Sequence, residues 1–89
     1  SDKPFLHFRV FFRPEDLQLV IKELEDGLAK LSSDISIINK PAPVLGGAVD
    51  RLDFTVRTLR PNVLKNVIKC VRNAESVHKY EWEFSEFPF

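Results

Sequence analysis

Nucleophilic or transition-metal chemistry in this 89-residue chain would have to begin at His7, Cys70 or His78, the complete set of its histidines and cysteines. Alternation places His7 on the outer face of a first strand and His78 on the inward face of a last strand, while Cys70 falls beside the apolar stripe of a helix. The three do not converge. A half-buried thiol that packs as a small hydrophobe and two ordinary strand histidines are the plainer meaning, so neither a metal nor a cofactor is expected. The carboxylate pairs Glu15 with Asp16 and Glu23 with Asp26 suggest acid-base work only if buried or convergent, and all four fall on helix positions expected to face solvent. Gly46-Gly47 has neither the strand-to-helix setting nor the lysine of a phosphate loop and reads as a loop before a strand.

The elements that would hold these residues follow from periodicity. Phe5 to Phe12 alternates, with Leu6, Phe8, Val10 and Phe12 on one face and Phe5, His7, Arg9 and Phe11 on the other. Arg13-Pro14-Glu15-Asp16 starts a helix, because proline suits the first turn and the acids face the positive end of the dipole. Leu17, Val20, Ile21, Leu24, Leu28 and Leu31 then form an apolar stripe. Gly27 interrupts it and weakens the last turn by about 1 kcal/mol relative to alanine.

Ser32-Ser33-Asp34 is turn chemistry, Ile35 to Asn39 a short strand, and Lys40 to Gly47, with its prolines and glycines, a loop. Ala48 to Leu59 alternates again, with Leu52, Phe54 and Val56 opposite Arg51, Asp53, Thr55 and Arg57. Arg60-Pro61-Asn62 opens a second helix with the stripe Val63, Leu64, Val67, Ile68 and Val71. Asn73-Ala74-Glu75 ends it, and Val77 to Phe84 closes the series as a strand, with Tyr80, Trp82 and Phe84 facing inward.

The order strand, helix, strand, strand, helix, strand, with right-handed crossovers, leads to an α+β ferredoxin-like βαββαβ sandwich: a four-stranded antiparallel sheet in the order 4-1-3-2 with two helices on one face. Residues 1–89 suffice for one such domain and one core. The chain has no methionine, and Ser1-Asp2-Lys3-Pro4 resembles neither a signal nor a transit sequence, so the domain is expected to be cut from a longer polypeptide. No apolar run approaches the roughly 20 residues of a membrane span. The lone cysteine excludes an internal disulfide and suits an intracellular setting.

Thirteen basic against thirteen acidic residues give zero formal net charge, a poor match to a phosphate backbone. RNA recognition on the same plan stacks bases on outward aromatics of the central strands. Phe5 and Phe11 qualify on the first strand, but the third strand offers Arg51, Asp53, Thr55 and Arg57, so nucleic acid is not expected. Phe5, Phe11, Phe87 and Phe89 are more apolar surface than a monomer needs, and the commonest meaning of such a patch is contact with protein.

Element order and length resemble the ACT domain, most closely the regulatory regions of aromatic amino acid hydroxylases and prephenate dehydratases. Asp34-Ile35-Ser36-Ile37-Ile38-Asn39-Lys40-Pro41 is similar to their second strand. Asp53-Phe54-Thr55-Val56 followed by Pro61 to Lys69 is similar to their third strand and second helix. The resemblance implies a regulatory module that dimerises and, in many members, binds an amino acid. A pocket of that kind would be bordered by Arg13, Glu15, Asp16, Ile38 and Asn39, although the stretch Arg13 to Leu17 lacks the glycine that ligand-binding members place there.

These readings lead to a non-catalytic regulatory or protein-interaction domain, either self-associating as a homodimer or docking on a larger chain. An amino-acid-sensing module is the alternative, and an RNA-binding domain a distant one.

Overall fold

The computed structural model describes residues 5–31, 36–41, 47–57 and 61–85. The order is β1 (Phe5–Phe11), a 3₁₀ turn (Pro14–Asp16), α1 (Leu17–Ala29), β2 (Ser36–Pro41), β3 (Arg51–Arg57), α2 (Pro61–Arg72) and β4 (Lys79–Ser85). The class is the expected one, two helices with an antiparallel sheet, and the strands lie in the order β2-β3-β1-β4. Leu6, Phe8 and Val10 oppose Val56, Phe54 and Leu52 across β1 and β3. These six side chains are essentially fully buried. Phe8 and Phe54 stack at its centre, ring centroids 5.1 Å apart and 14° from parallel.

Both helices deliver their stripes to this face. Val20, Leu24 and Leu28 of α1 and Val63, Val67 and Val71 of α2 join a single core, with Leu17, Ile21, Leu31, Leu64 and Ile68 packed at its margin. Arg13 is extended, the conformation favoured before a proline, and the Asp16 amide donates to its carbonyl at 2.8 Å, closing the turn that aims α1 back over the sheet.

Several local expectations need correction. Lys40 and Pro41 belong to β2 rather than to a loop; β2 is an edge strand, the place in a sheet where proline is tolerated. β3 starts at Arg51 and β4 at Lys79, so both are shorter than their alternation suggests, and His78 is exposed just ahead of β4. The expected continuation of the third strand through Thr58 and Leu59, the start of the second at Ile35, and the tail aromatics Phe87 and Phe89 lie outside the described residues.

Gly27 has a tertiary role that helix propensity does not register. A Cβ built on it would lie 2.6 Å from Cys70 Sγ, so the missing side chain is what lets α1 and α2 meet. Burial pushes the Cys70 thiol up, with a smaller push from the charge of Glu23. Glu23 is itself half-buried rather than solvated: its Oε1 accepts from the Ser76 hydroxyl and, at 3.2 Å, from the Ser76 amide. That contact ties α1 to the turn preceding β4.

Gly27→Ala therefore gains about 1 kcal/mol of helix propensity but incurs an overpacking cost of about 1–3 kcal/mol. The expected outcome in urea denaturation is net destabilisation, relieved when Cys70→Ala is added. A simple gain in stability would show that the Cys70 thiol turns aside at little cost and that Gly27 is not needed for the helices to meet.

Candidate functional site

The sheet face turned away from the helices is built from four rows of residues set by register. Phe11 lies between Arg51 and Lys79, Arg9 between Asp53 and Glu81, His7 between Thr55 and Glu83, and Phe5 between Arg57 and Ser85. Arg9 Nε donates to Asp53 Oδ1 at 2.8 Å and Nη2 to Oδ2 at 3.3 Å, a two-pronged pair joining the two central strands. Asp53, by that hydrogen bond first and by its charge second, raises the guanidinium pKa further, so Arg9 stays charged and engaged.

The two outward phenylalanines are half-buried beneath cations. Arg57 Cζ sits 5.9 Å from the Phe5 ring centroid, and Lys79 Nζ 5.2 Å from that of Phe11. Capped in this way, they present less bare apolar surface than their outward alternation implies. His7 and Thr55 are buried beside each other. Thr55 Oγ1 and Arg51 Nε are buried without a hydrogen-bond partner among the described residues.

A shallow recess of about 180 Å³ runs between β1 and β4, lined by His7, Phe8, Arg9, Glu81, Trp82 and Glu83. Its histidine and carboxylates do not form a metal cluster: no three His, Cys, Asp or Glu side chains come together to hold an ion among the described residues.

The residues expected to border an amino-acid pocket are spread along the sheet. Arg13 and Glu15 are exposed and Asp16 half-buried in the 3₁₀ turn beyond the end of β1. Ile38 and Asn39 oppose Thr55 and Phe54, further down β3. Phe87 and Phe89 lie outside the described residues.

The feature that sequence reasoning misses is on β4. Tyr80, Trp82 and Phe84 oppose Val10, Phe8 and Leu6, which puts them on the helix side as alternation requires. Yet Trp82 is 42% and Phe84 43% exposed, and of β4 only Tyr80 packs on the core. The two rings meet edge to face, 5.4 Å apart at 84°, in an aromatic ridge along an edge strand. The signal was present in the strand order, because β4 is outermost and two helices need not reach it.

Neither a protein-family model nor a curated protein matches the chain. Solved structures do resemble it. The C-terminal domain of the MgtC protein from Mycobacterium tuberculosis has a TM-score of 0.67 at 17% identity, covering 100% of this chain and 97% of that one. The de novo designed protein Foldit4 reaches a TM-score of 0.75 at 11% identity, over 89% of this chain and 91% of that one. An amidase of the hydantoinase/carbamoylase family from Burkholderia phymatum has a TM-score of 0.60 at 14% identity, over 94% of this chain but 28% of that one. At such identities the likeness is one of fold, and function has to be argued from sites. Among the described residues no helix is long and apolar enough to cross a membrane.

The orphaned Thr55 hydroxyl gives a direct test of the face opposite the helices. Thr55→Val removes an unsatisfied buried group at nearly constant shape and is expected to raise stability by about 1 kcal/mol in chemical denaturation. A comparable loss would mean that the hydroxyl is bonded.

Proposed function

We propose that the chain is a non-catalytic protein-interaction domain, regulatory or docking in role, whose working surface is the edge strand β4. The observation that carries this reading is the exposed Trp82–Phe84 ridge on a domain whose other large core-facing aromatics are covered. Aromatic residues dominate the energetics of protein contacts, and an edge strand supplies main-chain donors and acceptors beside them. Adding a partner strand to such an edge is a common recognition mode.

No group of His, Cys, Asp or Glu able to hold a metal ion forms among the described residues, and the shallow recess with His7, Glu81 and Glu83 brings no cysteine to them, which favours binding over catalysis. The resemblance to ACT modules supports the regulatory side of the reading. Amino-acid sensing has less support, since Arg13 and Glu15 are exposed and no glycine opens the backbone of their turn. RNA stacking on Phe5 and Phe11 is likewise disfavoured, because a cation already lies over each ring.

A photo-crosslinking residue substituted for Trp82 in cells is expected to yield polypeptide adducts, either with a second copy or with another protein. The same residue at Lys69, on the exposed face of α2, is the control and is expected to yield none. Equal or absent adducts at both positions would remove β4 as the binding surface.

A further inference from the structure

The two edges of the sheet differ. β2 ends in Pro41, which lacks an N–H, whereas β4 runs as Lys79-Tyr80-Glu81-Trp82-Glu83-Phe84-Ser85 with no proline or glycine. Its alternate residues Tyr80, Trp82 and Phe84 have high strand propensity, and the face they form carries none of the inward charges that usually blunt an edge. The opposite face of β4 carries a charge pattern of one lysine followed by two glutamates, and this pattern selects a partner.

We propose that β4 pairs antiparallel with β4 of a second copy about a two-fold axis at Glu81, joining the two sheets into one. The inference rests on the reading of β4 as a binding edge. In this register Lys79 of each copy faces Glu83 of the other, and Tyr80 faces Trp82, so two opposite-charge pairs and two aromatic pairs form together. His78 of each copy extends the match to Phe84. Shifting the register by one residue would set aromatic side chains against charged ones. A register centred on Trp82 would place Glu81 against Glu83 twice, and one centred on Tyr80 would leave Phe84 unpaired. The chosen register costs one Glu81–Glu81 apposition, which Arg9 moderates from the neighbouring position on β1. The 3.4 Å ion pair between Lys79 and Glu81 is exposed, with 67% and 54% of the two side chains accessible, so pairing with Glu83 of the second copy replaces that contact and the cation over Phe11 at small cost.

The contact is isologous and closes at two copies, as a two-fold dimer should.

Sedimentation equilibrium of the full chain over a range of concentrations tests this. The weight-average mass is expected to rise toward twice that of one chain. Lys79→Glu and Glu83→Lys should each weaken dimerisation by about tenfold, the sum of two cross-strand charge reversals. The double variant Lys79→Glu/Glu83→Lys should recover it, with circular dichroism confirming that each variant is folded. A monomer at every concentration overturns the proposal without touching the binding-edge reading, provided the Trp82 crosslinker still captures another polypeptide. If that crosslinker captures nothing either, both fail. A dimer indifferent to the reversals, or unrepaired by the double variant, overturns the proposed pairing.

Discussion

Two helices cover the centre of this sheet and leave its β4 edge partly bare. Burial of Leu6, Phe8 and Val10 against Leu52, Phe54 and Val56 requires an apolar cover on one side of β1 and β3, and the stripes of α1 and α2 supply it. Because Gly27 allows the helices to approach at Cys70, that cover is compact. Trp82 and Phe84, on the edge strand β4, stay exposed beside it.

The opposite face solves a different problem. With no helix over it, it is held by cross-strand pairs: the two-pronged Arg9–Asp53 contact at its centre and a cation over each of Phe5 and Phe11. Such pairs satisfy Arg9 and Asp53 and cover both rings from within the sheet, although Arg51 Nε and Thr55 Oγ1 have no hydrogen-bond partner among the described residues. On the proposed reading, the interaction surface is therefore the edge rather than the outward phenylalanines.

Much of this fold is legible in the sequence because it rests on periodicity. The stripe from Leu17 to Leu31 and the alternation of Phe5 to Phe12 need no tertiary information, and both are found where the pattern puts them. What escapes depends on neighbours far along the chain. Glu23 looks solvated until Ser76, 53 residues away, donates to it. Gly27 looks like a weak helix position until Cys70 is placed against it, and Pro41 looks like a strand breaker until its strand proves to be an edge. Trp82 and Phe84 have the right face by alternation, but their exposure depends on how far the helices extend over β4.

The most direct test of β4 as an edge that pairs with a second copy is amide hydrogen exchange followed residue by residue as protein concentration rises. On this account, protection of the Lys79–Ser85 amides increases with concentration while that of β2 stays constant. Exchange of β4 that is fast and unchanged at every concentration, including those at which any association is seen, would contradict it.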